Sequence, residues 1–159
     1  MANDFEASLI VREAHIDLFN RYADALDQRN WPTLTSLFTE DSAFGYSRSL
    51  GFDAGEAEHD LFEGRDNIVA TISRLIESLS ATHHFMSNYV VDADPGGNSA
   101  RASAYFRAYH AGKGARAHLF EESLGRFDLE TVRIRSEWKI RRMHEVIMIM
   151  LGTSDAFGY

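Results

Sequence analysis

The residues of this sequence best suited to chemistry are Asp27, in Arg21-Tyr22-Ala23-Asp24-Ala25-Leu26-Asp27, and His84, in Thr82-His83-His84-Phe85-Met86-Ser87-Asn88. An imidazole is the side chain whose ordinary pKa lies nearest neutrality, so it can take up a proton and release it within one cycle. A lone histidine is also readily a satisfied core or surface residue, and the sequence leaves that reading of His84 open. Asp27 stands where a helix should end. Negative charge is poorly placed there, because the helix dipole already puts partial negative charge at that terminus, and burial would raise the cost of ionisation. A hydrogen-bond donor or a cation beside it would offset both. A solvated carboxylate at a fraying helix end is the other reading, and spacing alone leaves the two open. If the residues act together, the carboxylate and imidazole must lie within hydrogen-bond reach.

Adjacent histidines on a strand face opposite ways. His84 is therefore expected to share a face with Met86, Asn88 and Val90, and His83 with Phe85, Ser87 and Tyr89.

The elements that must position these residues can be read from the spacing of apolar side chains. Residues 7 to 28 carry Val11, Leu18, Phe19, Tyr22, Ala25 and Leu26 as one helical stripe. Pro32 marks a fresh helix start, since a proline in the first turn sacrifices no helical hydrogen bond. That short helix, with Leu34, Leu37 and Phe38 inward, ends at Thr39-Glu40-Asp41. Ser42 to Tyr46 and His59 to Glu63 read as short strands around a glycine-bearing loop from Ser47 to Glu58. A third helix follows Gly64-Arg65-Asp66, with Ile68, Val69, Ile72, Leu75, Ile76 and Leu79 in register.

Beyond Ser80 the period falls to two. Thr82 to Asp92, Ser99 to His110, Ala117 to Leu129 and Trp138 to Met150 read as strands, with turns at Asp94–Asn98, Gly112–Gly114 and Arg135–Glu137. Ala100, Ala102, Ala104, Phe106, Ala108 and His110 share one face of the second of these, leaving room for either a ligand or a close helix. Helices first and hairpin-linked strands afterwards mean α+β, with helices packed on a strongly curved antiparallel sheet that leaves a pocket at its open end.

Composition sets the outer limits. The 159 residues suit one domain, 1–159, and the formal charge of -8 argues against a nucleic-acid partner, which needs a basic face. There is no cysteine, which removes disulfides, thiolate nucleophiles and Cys-ligated zinc. Seven histidines invite a metal, but no His-x3-His helix or carboxylate facial triad is spelled out, so no metal is expected. No apolar run approaches a membrane span, and the acidic, polar start does not read as a signal peptide. A cytoplasmic protein is expected.

Several of these segments resemble the SnoaL-like branch of the NTF2-like superfamily. They are Tyr-x4-Asp at the end of the first helix, Trp31 with the short Leu/Phe helix ending in Phe-Thr-Glu-Asp, and Thr-x-His-x3-Asn entering a strand. Gly125-Arg126-Phe127-Asp128 and Trp138-Lys139-Ile140 complete the likeness, which spans nearly the whole chain. It implies the cystatin-like cone fold. Asp27 and His84 then look like the dyad of scytalone dehydratase, lindane dehydrochlorinase and bile-acid dehydratase, with His84 the general base and Asp27 its orienting partner. Tyr22 falls where bile-acid dehydratases and ketosteroid isomerase place a catalytic tyrosine, and His110 resembles the second histidine of scytalone dehydratase. Tyr46 resembles one of that enzyme's water-binding tyrosines.

The resemblance implies a cofactor-independent lyase (a dehydratase), isomerase or cyclase. The substrate would be a small hydrophobic, carbonyl-bearing molecule of polyketide or steroid type, held by Tyr46, Asn88, Phe106 and Met148. The final strand, Met143-His144-Glu145-Val146-Ile147-Met148, has no arginine at the nearest match to the one in bile-acid dehydratases, which argues against an anionic leaving group. Arg107 lies on the opposite face from His110. The rival class is a ligand-binding or structural protein of the same fold, such as the small subunit of a ring-hydroxylating dioxygenase. Tyr105, Arg107 and Tyr109, on the face away from the alanines, have the composition of an interface core and imply a homodimer.

Overall fold

In the computed structural model, which describes residues 2–48, 58–93 and 96–158, the first apolar stripe becomes helix α1 (Ala2–Asp27). Leu18, Phe19, Tyr22, Ala25 and Leu26 are all buried along it. Arg29 takes a left-handed φ of 53°, and the Asn30 side chain accepts a bond from the Thr33 N–H at 3.1 Å. These two residues end α1 and start α2 (Trp31–Leu37).

Strands β1 (Phe38–Arg48) and β2 (Glu58–Glu63) follow, then α3 (Arg65–Glu77). Four long strands close the chain: β3 (Ala81–Ala93), β4 (Ser99–Ala111), β5 (Phe120–Ile134) and β6 (Glu137–Gly152). A short 3-10 helix, Ser154–Phe157, folds back at the end. Among the described residues no helix is long and apolar enough to cross a membrane.

The six strands form one curved, open sheet in the order β2-β1-β6-β5-β4-β3, with the helices packed against it. The α+β cystatin-like class expected from the sequence is the one observed. One correction concerns strand direction. The sheet is mixed, because β1 lies parallel to β6 while every other pair is antiparallel. Hairpins force antiparallel pairing only between strands joined by a short turn. β1 and β6 are separated by most of the chain, so no turn constrains them. The short β1 expected at Ser42 begins at Phe38, so α2 stops at Leu37 rather than running to Asp41. The expected loop from Ser47 to Glu58 gives up its first two residues to β1 and its last to β2, and residues 49–57 lie outside the described set. The turn expected at 94–98 is described only from residue 96 onward.

Strand β4 keeps strict alternation from Ala100 to His110, with every even-numbered residue buried. The alanines differ in their surroundings along the strand. Ala108 borders a cavity, while Ala102 and Ala104 lie inside the core.

Gly125 on β5 sits beneath the Phe106 ring, which stacks on Phe127 at a centroid distance of 4.4 Å. A Cβ at Gly125 would fall 2.0 Å from the Val146 carbonyl oxygen and 2.9 Å from Phe106. Overpacking of a tight core costs about 1–3 kcal/mol, and a clash with backbone belongs at the upper end. Gly125→Ala is therefore expected to lower the urea midpoint markedly. An unchanged midpoint would show that β5 and β6 can separate locally.

Candidate active site

The end of α1 meets the start of β3, and their meeting defines the site. Asp27 is the last residue of α1, and its carboxylate accepts three hydrogen bonds from β3. The Thr82 hydroxyl donates to Oδ1 at 2.8 Å, the His84 backbone N–H to Oδ2 at 2.9 Å, and the His84 ring nitrogen Nδ1 lies 2.7 Å from Oδ1. An ionised carboxylate can only accept, so Nδ1 carries the hydrogen and Nε2 is left with its lone pair. These donors are the compensation that a carboxylate at a helix C-terminus requires.

The electrostatics of the pair are asymmetric. Burial pushes the Asp27 pKa up, but the hydrogen bonds and charge of His84, with the Thr82 bond, outweigh it and hold the carboxyl below its ordinary value. Burial dominates at His84 and pulls its pKa below the ordinary imidazole value, although Asp27 pulls the other way and His110 adds to the lowering. At neutral pH the pair is a neutral imidazole on an ionised carboxylate.

His84 opens onto a cavity of about 410 Å³ enclosed between the helices and the concave face of the sheet. That volume suits a small organic ligand. Its walls are mostly apolar: Leu26 from α1, Ile68, Ile72 and Leu75 from α3, Phe127 and Ile147 from the sheet. The polar groups are few and gathered on the strands.

His110, on the strand beside His84, has its ring edge-on to the His84 ring at 5.5 Å. Its Nδ1 bonds to Glu121 Oε2 at 2.5 Å, and Ser123 donates its hydroxyl to the other Glu121 oxygen. The cavity thus holds a second imidazole–carboxylate pair, with both partners buried. Tyr22 is fully enclosed, its phenol pushed well above the ordinary tyrosine range by burial and by the nearby Glu145 carboxyl. It packs edge-on to Phe127 at 5.6 Å and lines the same space.

Of the residues singled out in the sequence, Asp27, His84, Tyr22, His110 and Tyr46 are brought together, Asp27 standing behind His84 and the other four lining the cavity. Phe106 is a core residue stacked on Phe127, outside the lining.

Besides Phe106, two further expected ligand contacts are corrected. Asn88 takes a left-handed φ of 53° at a bulge between Ser87 and Val90, which reverses the alternation of β3. His84 and Met86 therefore face in, Asn88 and Val90 are exposed, and Tyr89 packs on Phe19 at 5.8 Å. Met148 occupies a matching bulge on β6, where Gly125 pairs with Ile147 but Leu124 pairs with Ile149. Met148 follows Glu145 and Ile147, which line the cavity, so alternation already turns it away, and the extra residue brings Met150 onto the wall.

Glu121 and Glu145 were not anticipated. The signals were present: Glu121 faces His110 across the β4–β5 hairpin, and Glu145 interrupts the apolar inward positions of β6. Among the described residues no group of three or more histidine and carboxylate side chains is gathered as a metal site requires.

A family model for the SnoaL-like domain matches residues 7–144. No curated protein matches the chain. Among solved structures, a protein of Novosphingobium aromaticivorans provisionally assigned as an aromatic ring hydroxylase is 25% identical, with a TM-score of 0.73 over 92% of this chain and 95% of that one. A second protein of the same organism, provisionally assigned as a scytalone dehydratase, is 19% identical (TM-score 0.76; 94% and 91% covered). A hexachlorocyclohexane dehydrochlorinase, LinA Type2, is 12% identical (TM-score 0.71; 93% and 92% covered). At 19% and 12% identity the likeness is one of fold.

Proposed function

The chain belongs to the SnoaL-like family, and within it we propose that this protein is a cofactor-independent acid–base lyase, a dehydratase, acting on a small hydrophobic carbonyl compound. The observation that carries this reading is the 2.7 Å contact between Asp27 and His84 at the wall of an apolar cavity. His84, neutral and with Nε2 free of its proton, takes a proton from the carbon next to the substrate carbonyl. Asp27 keeps the other ring nitrogen protonated and stabilises the imidazolium that forms. The Tyr22 phenol, held neutral, donates a hydrogen bond to the carbonyl oxygen as negative charge develops there. Elimination, isomerisation and cyclisation share this first step and differ in what the enolate does next.

The step can be tested without the natural substrate. Benzylacetone has exchangeable hydrogens next to its carbonyl, and their replacement by solvent deuterium is visible by NMR. The wild-type protein is expected to accelerate this exchange over buffer, with saturation as the cavity fills. Saturable binding of benzylacetone without accelerated exchange would favour the second reading, a ligand-binding or structural subunit. That reading draws on the shared fold of a 12% identical neighbour from Novosphingobium aromaticivorans, provisionally assigned as the β subunit of an aromatic-ring-hydroxylating dioxygenase.

A homodimer belongs to the same proposal. Tyr105 and Tyr109 remain 42% and 40% exposed on the outer face of β4, with Phe85 and Ile149 also exposed on the strands. Tyr109 stacks on Phe120 at 5.5 Å, and Arg107 pairs with Glu122, which gives this face an aromatic and arginine composition typical of interface cores. Light scattering at micromolar concentration should return twice the chain mass. A monomer would leave this face as ordinary surface.

A further inference from the structure

The mechanism above leaves Glu145 without a task, yet this carboxyl opens onto the same cavity as His84. It lies on β6 between Tyr46 of β1 and Phe127 of β5. It makes no hydrogen bond or ion pair with the described residues. Glu121, by contrast, is bonded to His110 and Ser123 through both of its oxygens. Two carboxyl groups therefore share one enclosed space in opposite circumstances, one bonded through both oxygens and one with no partner among the described residues. Such a pair divides into a charged member and a neutral member, because a second charge in a dry site is disfavoured by the first.

We propose that Glu145 is the general acid of the site, a neutral carboxylic acid that protonates the leaving hydroxyl of a β-hydroxy carbonyl substrate. This rests on the reading of His84 as the base and adds to it a substrate class and a proton donor. The step balances without any further reactant. His84 Nε2 takes the proton from the α-carbon, and the electron pair left behind forms the α,β double bond. The C–O bond at the β-carbon breaks, and its oxygen takes the Glu145 proton and departs as water. His84 is then charged and Glu145 ionised, and transfer of the proton from one to the other through solvent restores both.

The charge balance of the cavity supports the assignment. Among the described residues the titratable groups facing it are Tyr22 from α1, Tyr46 and Arg48 from β1, His84 from β3, His110 from β4 and Glu121 from β5. From α3 come only Thr71 and apolar side chains, and from the closing 3-10 helix only Ser154 and Phe157. Arg48 is exposed. Burial, reinforced by the charge of Glu121, pushes the Glu145 carboxyl up to about 7. Its proton is therefore present below neutrality and lost as the pH rises through that value. A neutral substrate follows as well, since an anionic one would meet the Glu121 charge.

Infrared spectroscopy gives a readout that needs no substrate. Wild-type protein is expected to show the C=O stretch of a protonated carboxyl just below neutral pH, fading with a midpoint of about 7 and missing from Glu145→Gln. No such band in the wild type, or an unchanged band in Glu145→Gln, would overturn the proposal. The catalytic readout compares two probes. Exchange into benzylacetone needs the base alone, whereas dehydration of the benzaldehyde–acetone aldol to benzalacetone needs base and acid. Glu145→Gln, which keeps the shape but cannot give up a proton, should lower the ratio of dehydration to exchange by about 10²-fold, the usual worth of a general acid. It should also abolish the alkaline limb of the dehydration rate. An unchanged ratio, or wild-type exchange with no dehydration, would remove Glu145 from the mechanism and leave His84 as the base. Absence of wild-type exchange would instead sink the reading on which this one rests.

Discussion

His84→Ala should slow proton abstraction by about 10²–10⁴-fold, the usual contribution of a positioned general base. The measurement is deuterium exchange into benzylacetone, with folding checked by circular dichroism. Alanine removes the ring that Asp27 holds and leaves a space that water can fill, so residual activity would come from solvent. His110 does not take its place: it stands on the next strand with its ring 5.5 Å away, so its Nε2 is not where that of His84 was. The pH profile offers an internal check. Because burial holds His84 below the ordinary imidazole value, the neutral base persists below the pH at which an exposed histidine would be half protonated. Activity should fall only at more acid pH, as the ring takes a proton. Asp27 is held below its own ordinary value and stays ionised across that range. A folded His84→Ala protein with full exchange activity would make the histidine structural.

How much of this was legible in the sequence depends on how local the determining physics is. The helices were legible because their apolar spacing is a property of each segment alone. The inward face of β4 was legible for the same reason, since nothing interrupts its alternation from Ala100 to His110. The meeting of Asp27 with His84 spans 57 positions, and no periodicity reports such a contact. Only likeness to a known family pointed to it.

The Asn88 contact failed where a strand departs from regularity. One extra residue at a bulge reverses every side chain beyond it. Asn88 sits at such a bulge, and it is not a glycine that would have marked the position. Glu121 was legible in principle, because a hairpin with its turn at Gly112–Gly114 brings the residues on either side face to face. Fixing that register required knowing that β5 starts at Phe120 and not at Ala117. Glu145 was written into the last strand, but a carboxyl among apolar neighbours reads as surface until the curvature of the sheet is known.

Asp27→Asn should be about as damaging as loss of the histidine, and for a reason specific to these three hydrogen bonds. The His84 backbone N–H can only donate, so the amide oxygen of an asparagine must take the place of Oδ2. The NH2 group then occupies the place of Oδ1, facing the His84 Nδ1 and the Thr82 hydroxyl. An NH2 can only donate, so Nδ1 must become the acceptor and the ring proton moves to Nε2. That is the nitrogen whose lone pair the reaction needs. The variant keeps the shape of the site and inverts its tautomer, while also losing the charge that stabilises the imidazolium. Exchange should fall by about 10²–10⁴-fold with binding of benzylacetone little changed, since the amide fills the same volume. The double variant, His84→Ala with Asp27→Asn, should be scarcely worse than the poorer single one, because residues acting as a unit do not add. Multiplied losses in the double variant would mean that Asp27 serves the reaction, or the fold, by a route that does not pass through His84.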